Sequence, residues 1–219
     1  MDLKSEEAVG KIFDHQKFLA ARNLAFNVVR QVSKKVTIGM TENDGIELLN
    51  RELEFNGCTE LWHPHKFRIG PNTTLAFREK SEPGVTLQEN DIFFIDMGAV
   101  FENHESDFAE TFIIGQNHEY KKIIEKSKII FDHVKEAWKT KGLTGRALYE
   151  LAEEQAIKHG YVLNQKELGH RLGDYPHAVH HKGKLGNIDY TPSADRWVLE
   201  IHISHANMPY GAFYEDVLR

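Results

Sequence analysis

Two pairs of acidic residues stand where chemistry is most readily done. Asp96 follows the apolar run Phe93-Phe94-Ile95, and Asp107 lies 11 residues later at the start of a second strand-like run within Ile92–Gly115. A buried carboxylate costs on the order of several kcal/mol unless a charge or hydrogen bonds compensate it. A hairpin that sets two aspartates face to face therefore asks for a cation between them. Farther along, Glu200 sits in the strand-like run Trp197–Ile203, and Glu215 follows 15 residues on. Four acids converging on a small volume raise one another's pKa unless cations neutralise them.

Carboxylates joined by an imidazole suit two hard or borderline divalent ions: Mn, Co, Fe or Zn. Two such ions about 3.5–4 Å apart share a hydroxide, lower its pKa and polarise a carbonyl, so amide hydrolysis is a natural task. The imidazole must come from 13 histidines. His170 is favoured because Gly169-His170-Arg171-Leu172-Gly173 frames it with glycines that allow close backbone approach. His177 follows seven residues later, and His180 and His181 lead into Lys182-Gly183, a solvated-loop composition.

The elements that must position these residues are legible in outline. Val9, Ile12, Phe13, Leu19, Phe26, Val29 and Val32 have helical spacing over residues 5–34, as one helix or two with a break. Thr41 with Asp44 resembles a capping box for a helix that stops at Asn56-Gly57. Glu119–Lys141 and Thr144–His159 predict two further helices. Trp62-His63-Pro64-His65, Gly70-Pro71-Asn72 and Glu82-Pro83-Gly84 read as turn signals in a mixed stretch over 59–90. A faint duplication runs through the chain. The helix from Thr41 to Gly57 recurs 103 residues later from Thr144 to Gly160, and Asp91 with Asp96 recurs at an offset of 104 as Asp195 with Glu200. Two αβ halves, each giving a carboxylate pair to a shared cleft, would produce that pattern.

Composition bounds the setting. The chain has 219 residues, 41% hydrophobic and 27% charged, enough for one sizeable core. A net charge of -6 without a Lys/Arg-rich block argues against nucleic acid as a partner. One cysteine, Cys58, excludes an internal disulfide and a thiolate zinc site, and reads as a small buried residue. No apolar run approaches the ~20 residues that span a bilayer, so no membrane partner is expected. The charged N-terminus has no signal-peptide core, which makes the cytoplasm the expected location.

Together these motifs resemble the pita-bread metallopeptidases, the methionine aminopeptidases, Xaa-Pro aminopeptidases and dipeptidases, and creatinase-like hydrolases. The resemblance covers about residues 5–218, through IDMG at Asp96, SDFAETF at Asp107, GHRLG at His170, LEI at Glu200 and YEDVL at Glu215. It implies an α+β pita-bread fold, two pseudo-symmetric αβ halves around a curved antiparallel sheet, with residues 1–219 as a single catalytic domain. No extra N-terminal domain of the family's usual kind is expected. Asp96 and Asp107 would bind one ion and His170 with Glu200 the other, with Asp107 and Glu215 bridging. Glu200 would shuttle the proton of the attacking hydroxide and His177 would face the scissile amide. The YEDVL ending and Gly70–Thr73 look more like the Xaa-Pro branch than the methionine branch.

The resemblance implies a dinuclear hydrolase acting on a peptide or small amide, and it leaves a homodimer open. Hydrolysis of a small C–N substrate and an inactive binding module are the alternatives. Several positions depart from the pattern. Leu75-Ala76-Phe77 stands where the family carries a substrate-contacting histidine. Arg171 would put a cation at the cleft rim. His202, on the strand face of Glu200, would be a ligand, a partner to one, or a cleft-lining or structural residue. Glu110 and Arg196 read as solvated.

Overall fold

A computed structural model describes residues 5–177 and 181–219; His180 of the sequence reading lies outside them. A short 3-10 turn at Ser5–Glu7 precedes α1 (His15–Ser33) and α2 (Glu42–Phe55). Strands β1 (Glu60–Ile69), β2 (Asp91–Phe101) and β3 (His104–Ile114) follow, then α3 (His118–Lys141) and α4 (Gly145–Lys158). The chain closes with β4 (Tyr161–Leu163), β5 (His170–Arg171), β6 (Trp197–His205) and β7 (Gly211–Val217).

Local chemistry accounts for the helix boundaries. Asp14 accepts hydrogen bonds from the Gln16 and Lys17 amides, so the N-terminal helical pattern starts there and not at residue 5. Thr41 and Asp44 cap each other reciprocally, as their spacing predicts. Asn117 caps α3, which ends at a left-handed Gly142, and Thr144 caps α4.

Among the described residues one seven-stranded antiparallel sheet runs β1-β2-β3-β7-β6-β4, with β5 pairing β6. The order is nearly a mirror about the β3–β7 seam. On one side α1 and α2 back β1, β2 and β3; on the other α3 and α4 back β7, β6 and β4. This is the two-halved α+β arrangement that the duplication implied. Each half fills its helix face with its own apolar cluster, one around Val28, Leu49, Ile95 and Phe108, the other around Ile130, Leu148, Leu199 and Ile201.

Two acids interrupt this apolar layer, and both are neutralised by the helices. Glu110, expected to be solvated, is buried and meets Arg30 of α1 (Nε to Oε2, 2.9 Å) and Lys128 of α3. Asp216 is buried against Arg22 of α1 (Nε to Oδ1, 2.6 Å). Arg196, half-buried, lies over the Phe13 ring at 4.5 Å. Removing one partner of a buried pair strands the other charge. Arg22→Ala is therefore expected to lower stability by roughly 3 kcal/mol in urea unfolding. Arg22→Met with Asp216→Leu, which removes both charges, is expected to recover most of that loss.

Candidate metal centre

Strand register builds the centre. Residues directly opposite one another on paired strands share a face of the sheet. Asp96 on β2 lies opposite Ala109 on β3, Ala109 opposite Glu215 on β7, and Glu215 opposite Glu200 on β6. Three carboxylates and one small residue thus form a row across four strands. Beside that row Asp107 lies opposite Gly98, and Gly98 opposite His63 of β1. His170 enters from β5, opposite Val198 and two residues from Glu200. All of these side chains belong to the face turned away from the helices.

They line a cavity of about 580 Å³ together with Trp62, Phe77, Glu167, His177 and His202. His170 Nε2 is 2.8 Å from Asp107 Oδ2 and 3.7 Å from Glu200 Oε1. His63 Nε2 is 3.4 Å from Asp107 Oδ1 and 3.8 Å from Asp96 Oδ1. Two groups result whose ligand atoms lie within 4.8 Å of one another: His63, Asp96 and Asp107, and Asp107, His170 and Glu215. Asp107 belongs to both. Gly169 brings the strand of His170 close: its φ is +68°, and a Cβ there would sit 2.3 Å from the Val198 carbonyl. Its amide donates to Glu200 Oε2 at 2.8 Å.

The electrostatics are those of a site short of positive charge. Burial pushes Asp96 up to about 7 against the pull of His63, and pushes Glu200 up to about 7 against His170. Burial, then Asp107 and Asp96, drive Glu215 well above the usual carboxylate range, and its buried Oε1 has no hydrogen-bond partner among the described residues. Asp107 moves the other way: burial would raise it, but His63 and His170 together hold it below the usual range. The two imidazoles, which burial alone would lower, are held up to about 9, chiefly by Asp107. Protons thus occupy the place where cations would neutralise the acids. An oxygen-rich donor set with imidazoles and an orphaned buried acceptor fits divalent ions of the borderline class.

Other residues hold the surrounding groups. His177 lines the cavity, with Nδ1 2.6 Å from Glu105 Oε2 and its amide donating to Glu105 Oε1 at 2.9 Å. Glu105 is 1% exposed and shares the strand face of Asp107, two residues before it. Trp62 packs against His63, His170 and His177 at ring-centroid distances of 4.3, 4.9 and 5.3 Å, and its Nε1 donates to the Ser106 carbonyl. His202 Nε2 donates to the Thr73 carbonyl at 2.7 Å and Nδ1 accepts from Asn164, so both nitrogens are engaged in lining the cleft.

Two expectations need correction. Trp62-His63-Pro64-His65 is a strand, not a turn, and it delivers two cleft residues that the sequence reading passed over. Phe77 lines the cleft, and His63 of β1 packs edge-on against it at 5.1 Å. Arg171 is no rim cation: it is 1% exposed and donates to the carbonyls of Glu6, Ala8, Leu172 and Arg196. Glu105 was also missed, although its alternation with Asp107 in His104-Glu105-Ser106-Asp107 places both acids on one face.

Residues 16–216 match metallopeptidase family M24. A curated relative, the Xaa-Pro dipeptidase of Pyrococcus horikoshii, is 24% identical over 206 residues, 91% of this chain and 54% of that protein. The chain therefore spans about half the length of the curated relative it matches. The fold superposes on X-Pro aminopeptidase from Thermotoga maritima with TM-score 0.74 at 21% identity, over 93% of this chain and 57% of that one. It also superposes on methionine aminopeptidase from Thermotoga maritima with TM-score 0.73 at 14% identity, over 92% and 90%. Those structures establish the pita-bread architecture. Among the described residues no helix is long and apolar enough to cross a membrane.

The shifted groups make the metal-free protein sensitive to pH in one direction. Asp96 and Glu200 titrate near 7 in the fold and near 4 when unfolded, so stability falls as pH rises between those values. His63 and His170 add stability that is complete below about 6.5 and lost as pH rises through about 9. Asp107 acts oppositely, adding stability above about 4 that is lost in acid. The melting temperature in a chelator is expected to fall from about pH 5 to about pH 9. Saturating Co²⁺ or Zn²⁺ is expected to raise it, and more at about pH 8 than at about pH 5, because ions displace protons. Scanning calorimetry with and without metal checks both signs.

Proposed function

The chain belongs to metallopeptidase family M24, and from that premise we propose that it is a dinuclear, divalent-metal-dependent hydrolase of the Xaa-Pro type, cleaving the N-terminal peptide bond of a short peptide. One observation carries the reading: two ligand groups share Asp107 at the floor of a single cavity. Asp96 and Asp107 would hold one ion and His170 with Glu200 the other, with Asp107 and Glu215 shared between them. Mn, Co, Fe or Zn suits such donors. When bound, the ions supply Lewis acidity for the scissile carbonyl and acidify a water at neutral pH.

The chain's own residues do the rest. Glu200 Oε2 is tied to the Gly169 amide, which leaves Oε1, on the His170 side, as the oxygen that takes and returns a proton. Glu105 fixes Nδ1 of His177, so Nε2 is the ring atom that meets the scissile amide. Trp62 and Phe77 give the cavity an apolar, aromatic wall against which a pyrrolidine ring packs. The names of the Xaa-Pro relatives support that preference.

Metal analysis of the purified chain, joined to a panel of Xaa-Pro and control peptides with added Mn or Co, tests the reading. Two ions per chain and release of the N-terminal residue from Xaa-Pro peptides are expected. Asp107→Asn is expected to weaken both ions and to lower turnover by more than roughly 100-fold, because a shared ligand is lost. A chain that takes up no divalent ion and cleaves nothing in the panel would be a binding module instead.

A further inference from the structure

We infer that His63 is itself a metal ligand, completing the site of Asp96 and Asp107 so that each of the two ions receives one imidazole. The inference rests on the dinuclear reading and adds a residue that the resemblance-implied ligand set lacks.

The ring is prepared for that role in the same way as His170. His63 Nδ1 is 2.8 Å from the carbonyl of the next residue, Pro64, and His170 Nδ1 is 2.7 Å from the carbonyl of its own next residue, Arg171. A carbonyl accepts only an N–H, so each Nδ1 carries a proton and each Nε2 can offer its lone pair to an ion. Ligating histidines almost always donate their other nitrogen in this manner. The two Nε2 atoms then approach the two oxygens of one carboxylate, His63 toward Asp107 Oδ1 and His170 toward Asp107 Oδ2. His63 Nε2 stands 3.4 and 3.8 Å from its acidic oxygens. Ligand atoms about 2.0–2.2 Å from a common ion lie roughly 3.0–3.5 Å apart, so the spacing is close to that of shared ligands and long for a charge-assisted hydrogen bond.

The backbone is shaped around the ring. The β1–β2 register shifts on both sides of His63, between Leu61 and His63 and again between His63 and Lys66. Bulges beside active sites re-aim a side chain. Gly98, opposite His63, is what admits the ring: a Cβ there would lie 2.1 Å from Cδ2 and 2.3 Å from Nε2. Trp62 and Phe77 then hold the ring edge-on at 4.3 and 5.1 Å. A bulged strand, a facing glycine and two aromatic walls aim one nitrogen at two carboxylates. An imidazole at each ion also shifts the preference of the pair from hard toward borderline cations, Zn, Fe and Co over Mg.

The test is titration of the metal-free full chain with Zn²⁺ and Co²⁺, by calorimetry and by the visible spectrum of the cobalt form. His63→Gln keeps the ring's volume approximately, His63→Ala removes it, and circular dichroism checks that both fold. Wild type is expected to bind two equivalents. In both variants one equivalent is expected to weaken by more than the roughly 10–100-fold that loss of a merely orienting partner costs, with a changed cobalt spectrum and the other equivalent retained. His170→Gln is expected to weaken the complementary equivalent. Two equivalents of wild-type affinity and an unchanged spectrum in both His63 variants, while Asp96→Asn and His170→Gln each lose one, would overturn the ligand role and leave the dinuclear reading intact. Failure of wild type to bind either ion would instead remove that reading.

Discussion

Mutual repulsion among carboxylates set in one row across the sheet is the constraint to which the rest of the structure answers. Asp96, Glu215 and Glu200 come from three different strands, and register alone makes them neighbours. The protein neutralises buried acids in two ways. On the helix face Glu110 and Asp216 meet arginines and a lysine held by α1 and α3. On the cleft face the acids meet imidazoles, and Glu215 Oε1 meets no hydrogen-bond partner among the described residues. A permanent side-chain cation would have closed that face to any exchangeable ion. The difference between the faces separates a structural charge pair from a binding site.

The β3–β7 seam gives this contrast its place. Each half brings its own helices and its own apolar cluster, so the halves are held independently and meet along the acid row. Asp107 belongs to one half, with Glu215 and His170 in the other. The site therefore forms only where the halves agree in register. Trp62, against three histidines from both halves, carries the same dependence into the cleft wall.

Much of this was legible from residues alone. The helices announce themselves through Thr41 with Asp44, Asn56-Gly57 and Thr144, because caps and stops are local chemistry. Asp96 is conspicuous because an acid in an apolar strand is out of place. Strand β1 was hidden for a physical reason: Pro64 and two histidines look like a turn, yet β1 ends the sheet order, and an edge strand tolerates proline and bulges. Arg171 misled because a guanidinium beside a candidate ligand suggests a surface charge, whereas three backbone carbonyls from distant segments and that of the adjacent Leu172 receive it. No local pattern encodes carbonyls contributed by residues 6, 8 and 196.

The turn between β2 and β3 is two residues long, Glu102 and Asn103, both in the left-handed region. Asp96 and Asp107 can share a face across such a hairpin only when an odd number of positions separates them. The parity leaves the register little freedom here. A one-residue slip of β3 against β2 would rotate Phe108 into the cleft and turn Asp107 toward the helices. A two-residue slip would keep the face but move Asp107 away from Gly98. The tight turn thus holds the two aspartates in place, though it lies at the far end of the hairpin from β2's first residue and carries no catalytic group of its own.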